Sequence, residues 1–202
     1  KNGNELTLTD KGDGKYTFTM HTSNVTVTAI FMEDNTMLNF FVDVKASDYY
    51  YDAVLWAAQN GITAGTDAVH FTPDGVCSRA QAVTFLWRAA GSPVPKSASM
   101  PFTDVLKGSY YETAVLWAVE NGITKGTSNT TFSPNATCSR AQIVSFLWRS
   151  QKSPAVGSVN PFTDVSANAY YTDAVLWAVE ENITKGTTAT TFSPDADCTR
   201  AQ

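Results

Sequence analysis

The apolar and polar positions of the chain follow two different periods. Apolar residues alternate with threonine in residues 5–9, 15–20 and 25–31, which is the period of half-buried strands. From about residue 50 onward the apolar positions recur at three- and four-residue spacing, as they do on one face of a helix. The sequence therefore predicts a short antiparallel β segment followed by a mainly α-helical region.

Three copies of one short stretch predict where helices begin. The copies occupy residues 77–81, 138–142 and 198–202, and each reads Cys-Ser/Thr-Arg-Ala-Gln. The Ser or Thr precedes Gln by three residues, which is the spacing of a capping box. Apolar residues at helical spacing follow the first two copies. The third copy stops at Gln202, inside the first turn of the helix that it predicts.

These stretches belong to a longer repeat, in which the phenylalanines at 41, 102 and 162 are equivalent. Each unit reads Phe-x-Asp-Val, then a first helix with Ala-Val-Leu-Trp-Ala, then a loop ending in Phe-x-Pro, and then the capped second helix. In the first unit we expect Tyr50, Ala53, Val54 and Ala57 to form the apolar stripe of the first helix. A repeat this regular indicates units that share a core.

The repeat also predicts where the first helices end. Gly61 and Gly122 precede isoleucines, and a glycine followed by an apolar residue is the Schellman arrangement. The third unit has Asn182 in this place. After Gly, Asn is the residue type that most readily adopts the left-handed conformation. The predicted boundaries are residues 1–36 for the end of an upstream β-rich repeat, then 37–98, 99–158 and 159–202 for three helical repeats, the last incomplete.

Composition excludes several functions. The chain has 202 residues, a net charge of -5 and no run of Lys or Arg, which argues against a nucleic-acid partner. It has no apolar stretch near the roughly 18 residues of a membrane span. No Ser/His/Asp set, Cys/His set, phosphate-binding loop or metal-ligand spacing is visible, so we predict no catalysis, no cofactor and no metal. We expect the three cysteines to be small buried apolar residues, with disulfide or metal ligation as the alternative.

One arginine per unit stands where a helix start disfavours a cation. The three are Arg79, Arg140 and Arg200. Their placement indicates an anion, which is either an internal carboxylate or a bound ligand. The internal candidates are Asp43, Asp104 and Asp164, although a turn or cap role is the favoured interpretation of these aspartates.

Residues 40–202, with their Phe-x-Asp-Val, Gly-Ile-x-x-Gly, Phe-x-Pro and Ser/Thr-Arg-Ala-Gln motifs in this order, resemble the S-layer homology (SLH) family. The resemblance implies a pseudo-threefold arrangement of three SLH-like helical repeats around a central helix bundle, here with a truncated third core helix. Grooves would lie between the repeats. Residues 1–33 resemble the closing strands of Thr-rich β-repeats in Gram-positive surface proteins.

The resemblance also implies which residues bind a ligand. The family's binding arginine corresponds to Arg79, Arg140 and Arg200, and the glycine of its loop to Gly65, Gly126 and Gly186. Tyrosines replace the family's tryptophan and could stack on a sugar; they are Tyr49, Tyr110 and Tyr170. Lys125 and Lys185 either add a cation to two grooves or are solvated loop lysines. The family's Glu after Arg-Ala is Gln here, and its Asp-Gly loop is missing.

The implied function is a non-catalytic, extracellular module of the bacterial cell surface. It would bind an anionic, possibly pyruvylated, secondary cell-wall polymer through its grooves. The alternatives are a protein–protein adhesion or assembly module, or a tether for an upstream catalytic domain. We also expect that the shared face of the two complete core helices is exposed, is covered by residues 1–39, or mediates self-association.

Overall fold

The computed structural model describes residues 9–11, 16–17, 39–97 and 99–202. The chain divides into two compact units, Lys1–Thr36 and Met37–Gln202. In the first unit, strand β1 (Thr9–Asp10) pairs antiparallel with β2 (Tyr16–Thr17). The remaining residues of the predicted strands, including all of 25–31, lie outside the described residues, so the resemblance to a β-repeat stays a prediction.

The second unit is helical, which confirms the predicted fold class. Its described helices are α1 (Tyr51–Gln59), α2 (Arg79–Ala89), α3 (Glu112–Glu120), α4 (Arg140–Ser150) and α5 (Thr172–Glu180). The first two repeats therefore contribute two helices each. The third repeat contributes α5, and its second helix has only a turn at residues 200–201.

The predicted capping boxes are confirmed at α2 and α4. At α2, the Ser78 hydroxyl accepts a hydrogen bond from the backbone N–H of Gln81, and the Gln81 side chain accepts one from the backbone N–H of Ser78. Ser139 and Gln142 repeat both bonds at α4. Satisfying these otherwise unpaired N–H groups fixes the point at which each helix begins.

The predicted helix ends are also confirmed. Gly61 has φ +68° and donates to the carbonyl of Ala58 at 3.0 Å, while the N–H of Ile62 reaches Ala57 O at 2.8 Å. This is the pair of hydrogen bonds of the Schellman motif. Gly122 and Asn182 have φ +68° and +58° in the other two repeats. The left-handed residue therefore turns the chain into the loop that follows each first helix.

The three cysteine segments form a closed ring of backbone hydrogen bonds. Cys77 N–H donates to Cys198 O at 2.8 Å, Cys138 N–H to Cys77 O at 2.8 Å, and Cys198 N–H to Cys138 O at 3.1 Å. All three thiols are free and buried, which confirms the expectation of small buried residues. Burial raises the pKa of Cys77 to about 11 and of Cys138 to about 12, so both thiols are protonated at neutral pH.

The second helix of one repeat packs against the first helix of the next. Helix α2 packs on α3, α4 packs on α5, and α2 also contacts α4. Trp117 and Trp177 are consequently buried, with 9% and 7% of their surface exposed, but Trp56 of α1 is 53% exposed. The tryptophans of the first helices therefore pack in the core in the second and third repeats but not in the first.

Helix α1 differs because, among the described elements, it has no helical partner. The predicted stripe of the first unit is therefore wrong in part, since Ala53 is exposed and Leu55 is buried. An apolar cleft of about 160 Å³ opens between the core helices α2 and α4, lined by Leu86 and Leu147 among others. No helix of the described region combines the length and apolar character that crossing a membrane requires.

Candidate functional site

Each Phe-x-Asp-Val aspartate holds the loop before the second helix of its own repeat. Asp43 accepts hydrogen bonds from the backbone N–H groups of Phe71 and Thr72, at 2.8 and 2.7 Å. Asp104 and Asp164 accept the equivalent pairs at the same distances. In the described part of the chain, no ion pair joins an arginine to an aspartate. The turn role predicted for the aspartates is confirmed, and their pairing with the arginines is wrong.

Acid is expected to weaken the fold through the carboxylates of Asp43 and Asp164, whose pKa values are lowered. Burial alone would raise the pKa of Asp164, but the backbone N–H donors of Phe192 and Ser193 outweigh it, so the pKa lies below the ordinary 3.8. A lowered folded-state pKa stabilises the fold above the unfolded value, and this stabilisation is lost as pH falls through the folded value. We expect the free energy of unfolding to fall below about pH 4, with a shallower fall in Asp164→Asn, as measured by urea unfolding at several pH values. Identical acid profiles for the two chains would contradict this.

The N–H groups at the start of each second helix are already used within the protein. At α2, Arg79 N–H donates to Ala136 O at 3.0 Å and Ala80 N–H to Pro134 O at 3.0 Å, and Gln81 N–H is bound by Ser78. Helix α4 and residues 200–201 repeat this arrangement with the next repeat in the ring. The N–H groups that a helix N-terminus can offer to an anion are therefore occupied by the protein's own carbonyl and hydroxyl oxygens.

Each arginine side chain extends over a phenylalanine of another repeat. Arg79 Nε donates to Phe132 O at 2.9 Å, and its guanidinium lies 4.9 Å from the Phe132 ring centroid. Arg140 has the same relation to Phe192, and Arg200 to Phe71. Cation–π contact and one hydrogen bond position the guanidinium group, but they supply no negative charge.

Two of these charges are strongly desolvated. Arg79 is only 4% exposed, and burial lowers the pKa of both Arg79 and Arg200. The Nη2 atom of Arg200 is buried without a hydrogen-bond partner among the described residues. Asp104 and Asp43 favour the charged forms of Arg79 and Arg200, but neither forms a direct ion pair with its arginine. A buried charge without a direct partner is costly to the fold.

One groove surrounds Arg79 and has a volume of about 400 Å³; we call it the second groove. Its other lining residues include Lys125 and Gly126 of the second repeat and Tyr170 of the third. All three repeats therefore contribute to one site. No acidic residue lines it, so its arginines and lysine form a positive site on a chain of net charge -5.

A matching groove of about 310 Å³ surrounds Arg200; we call it the first groove. Gly65 lines it from the first repeat and Tyr110 from the second, and Ala64 stands where the second groove has Lys125. We call these two the complete grooves: arginine, glycine and tyrosine line both, but only the second has a lysine, Lys125.

The third arginine lies in a smaller space. Arg140 lines a cavity of about 80 Å³ with Thr184 and Gln202, and neither Gly186, Lys185 nor Tyr49 lines it. Tyr49 is 79% exposed. The structure thus brings arginine, glycine and tyrosine together in two grooves and does not do so in the third.

Sequence reasoning missed a second arginine in each complete groove. Arg88 lines the first groove and Arg149 the second. Their Nη1 atoms donate to Ile62 O at 3.1 Å and Ile123 O at 3.3 Å. The signal is present in the sequence, because Leu-Trp-Arg recurs in the first two repeats. A cation in the last turn of a helix is, however, favourable for purely structural reasons, so the motif alone does not indicate a binding role.

The groove tyrosines are held by their neighbours. Tyr110 meets Tyr111, and Tyr170 meets Tyr171, edge to face with centroids 5.0 Å apart. Burial raises the pKa of Tyr110 and Tyr170, so each phenol stays neutral and keeps its O–H donor. Each groove wall therefore offers an aromatic surface with a hydrogen-bonding end.

The loop glycines are required by the protein's own packing. Gly126 has φ +82°, and a Cβ there would stand 2.5 Å from Phe102 Cε1 and 2.7 Å from Ser128 O. The same phenylalanine contact occurs at Gly65 and Gly186. The missing Cβ at these glycines thus makes room for a buried phenylalanine ring.

Gly126→Ala is expected to destabilise the fold much more than Gly122→Ala. Gly122 also has positive φ, but a Cβ there meets nothing within 4 Å, so its cost is the conformational one of about 1–2 kcal/mol. Overpacking against Phe102 should add roughly 1–3 kcal/mol in Gly126→Ala. Urea unfolding of both variants measures the difference, and equal losses would contradict this packing role.

Comparison with known proteins gives a consistent result. The S-layer homology domain family matches residues 40–83, 101–144 and 161–202. The chain is 35% identical over 123 residues, 61% of its length, to the surface-layer 125 kDa protein of Lysinibacillus sphaericus. It is 28% identical over 165 residues, 80% of its length, to the S-layer protein of Bacillus thuringiensis subsp. finitimus.

A third relative is the endoglucanase of Bacillus sp. (strain KSM-635), which is 34% identical over 114 residues, 56% of this chain. The matched segments make up 10%, 20% and 12% of the lengths of these three relatives. The chain therefore corresponds to a small part of much longer proteins.

Proposed function

The chain belongs to the S-layer homology domain family, and from this premise we propose that it anchors its protein by binding an anionic wall polysaccharide in the first and second grooves. SLH domains bind cell-wall polymers, and S-layer proteins that carry them are extracellular and attached to the wall. The proposal adds the residues and the chemistry. Arg79 and Arg200 bind the negative charge, while Tyr110 and Tyr170 contact the sugar.

One observation carries this proposal: the guanidinium groups of Arg79 and Arg200 are desolvated, and no carboxylate of the described residues lies within ion-pair distance of either, since Asp104 and Asp43 act on them only from farther away. An external carboxylate would supply the missing counter-charge. A guanidinium also binds a carboxylate through two parallel hydrogen bonds, which gives both strength and orientation. A pyruvate ketal on a sugar is one group of this kind.

The grooves support binding rather than catalysis. Each complete groove contains cations, hydroxyls, an amide and two aromatic rings, but no carboxylate or histidine that could act as a general acid or base. Two similar sites on one chain suit a polymer, because a wall presents many copies of the same epitope and weak sites add through avidity.

The remaining site residues complete the proposal. Gly65 and Gly126 line the complete grooves with their backbones. Arg140 lines the smaller cavity. We include Gly186, Lys185 and Tyr49 as the corresponding residues of a third groove, which would form only when the second helix of the third repeat is present.

A tether for a catalytic domain is the second candidate, and the match to an endoglucanase favours it. It requires the same wall-binding activity in this chain, so the two candidates differ only in what the longer protein carries. A protein–protein adhesion module would not need unpaired arginines in polar grooves.

Sedimentation with purified cell-wall sacculi tests the proposal. The chain is expected to co-sediment with native sacculi and to remain in solution after the accessory polymer has been removed with the peptidoglycan left intact. Retention on stripped sacculi would contradict polysaccharide binding. Retention that persists at high salt would contradict a charge-based site.

Lys125 should make the second groove the stronger one. Lys125→Ala is expected to weaken binding to sacculi by roughly 2- to 5-fold, because an exposed charge pair contributes about 0.2–1 kcal/mol. Ala64→Lys places the same cation in the first groove and should strengthen binding by a similar factor. If both variants bind as the parent chain does, Lys125 is a solvated loop residue.

A further inference from the structure

The two linkers between repeats leave the core helices through different residues. After α2, Gly91 adopts the left-handed conformation with φ +85°, and Ser92 follows with φ +55°. After α4, Lys152 with φ +68° and Ser153 with φ +52° stand in the same places. A residue with a side chain is disfavoured in this conformation, because its Cβ comes too close to the following carbonyl oxygen. The second linker is therefore more strained than the first.

Local hydrogen bonds hold the second linker in this turn. The N–H of Lys152 donates to Arg149 O at 3.0 Å, and the N–H of Ser153 donates to Trp148 O at 3.0 Å. The indole N–H of Trp148 donates to Pro154 O at 3.0 Å. Lys152 and Ser153 are exposed, so water can bind their N–H groups if the linker straightens. Straightening would release the strain at both residues.

The third repeat is joined to the rest of the second unit by two separate sets of contacts. Its apolar residues form a hydrophobic cluster with Val144, Leu147 and Trp148 of α4. Toward the first repeat it contributes little apolar surface, since Ala201 alone of its described residues packs against the cluster there. The covalent connection runs only through the linker, so both sets of contacts can form within one chain or between two copies.

Backbone carbonyls of the first repeat bind the end of the third repeat. Gly75 O and Pro73 O accept the N–H groups of Arg200 and Ala201, and Phe71 O accepts Arg200 Nε at 2.7 Å. The other two junctions between repeats use equivalent carbonyls for equivalent donors. A second copy of the chain presents the same carbonyls at the same spacing, so it fits this segment equally well.

We infer that the third repeat, residues 159–202, exchanges between two copies of the chain, with residues 151–158 as the hinge. In the exchanged dimer, the third repeat of each copy packs on α4 and on the first repeat of the other. The cluster on α4, the ring of cysteine segments and the docking bonds are all retained. Lys152 and Ser153 leave the left-handed conformation. A strained hinge loop favours this kind of exchange.

The hinge decides how much dimer forms. The closed chain and the exchanged dimer make the same contacts outside the hinge, so their balance depends on hinge strain and on the cost of bringing two copies together. The inference concerns assembly and does not depend on the proposed function.

Association through the apolar cleft between α2 and α4 is the competing interpretation. Lys152 and Ser153 do not line that cleft. Substitutions in the hinge should therefore change exchange and leave association through the cleft unchanged.

The first test measures mass by light scattering after refolding from urea at a series of protein concentrations. We expect the parent chain to give a dimer fraction that rises with concentration. Lys152→Gly relieves the closed turn and should raise the dimer dissociation constant about tenfold or more. Ser153→Pro should lower it, because proline holds φ near −65° and excludes the closed turn.

Lys107→Gly is the matched control for the hinge variants. Lys107 is also exposed but does not have positive φ, so its replacement should leave the dimer fraction unchanged. Equal dimer fractions in Lys152→Gly, Ser153→Pro and the parent chain would overturn the inference. A parent chain that refolds only as a monomer at every concentration would also overturn it.

The second test identifies the exchanged part. Ala174 of α5 and Val144 of α4 are buried in the same cluster, so Ala174→Asp damages the third repeat and Val144→Asp damages the surface that receives it. When the two variants are refolded together, exchange builds one cluster without an aspartate. We expect native mass spectrometry to show more mixed dimer than either variant alone gives as dimer. No gain of dimer on mixing would overturn exchange of the third repeat.

Discussion

Arg79→Met combined with Arg200→Met is expected to abolish co-sedimentation with sacculi without lowering the unfolding temperature. Methionine has a similar length, fills the space over the phenylalanine rings and removes a desolvated charge. Replacing buried charged groups by apolar ones of similar volume is often neutral or stabilising. Each removed guanidinium should cost binding roughly 1.5–3 kcal/mol, about 10- to 100-fold.

Arg140→Met is the matched control for this double variant. Arg140 makes the same carbonyl hydrogen bond and ring contact, but neither a groove tyrosine nor the loop glycine lines its cavity. Its replacement should leave sedimentation close to that of the parent chain. The combination that contradicts this expectation is a double variant that unfolds several degrees lower and still binds, because the arginines would then stabilise the fold and nothing more.

A helix appended after Gln202 is expected to stabilise the chain considerably. The chain at residues 200–201 already docks on the first repeat, since Arg200 N–H donates to Gly75 O at 2.8 Å and Ala201 N–H to Pro73 O at 3.1 Å. A copy of residues 143–150 placed there would pack on α1 as α2 packs on α3. Burying the exposed half of Trp56 alone should contribute ~2–3 kcal/mol, and each kcal/mol raises the midpoint by about 2–4 °C.

Fluorescence of Trp56 and the thermal midpoint measure this effect. The other four tryptophans can be replaced by phenylalanine in both chains to isolate its emission. A control extension with serine at the apolar positions should leave the emission and the midpoint unchanged. If the apolar extension also leaves Trp56 in water, a second helix of the third repeat does not pack on α1 as α2 packs on α3.

Light scattering of the parent chain then tests whether the exposed face causes self-association.

The helix boundaries could be predicted because local chemistry determines them. Ser78 with Gln81 and Ser139 with Gln142 form their capping boxes within three residues, and Gly61 and Asn182 end their helices through their own left-handed conformation. Such signals act within one or two turns of chain, so a single sequence contains them in full.

The partners of the arginines could not be predicted because they are set by how the repeats dock. The sequence places Asp43 and Arg79 in one unit, yet the arginine reaches Phe132 of the next repeat while the aspartate holds its own loop. The exposure of Trp56 has the same origin. The equivalent residues Trp117 and Trp177 are buried by the second helix of the preceding repeat. The sequence of α1 does not indicate whether such a helix packs on Trp56.

The most direct test of the central claim is a crystal structure of the chain with a fragment of the accessory wall polymer. We predict an acidic group of the fragment within hydrogen-bonding distance of the terminal nitrogens of Arg79, with a sugar ring against Tyr170. A fragment bound elsewhere, with the Arg79 guanidinium in contact only with the protein's own carbonyl and phenylalanine rings, would contradict the claim that this buried charge is there to bind an external anion.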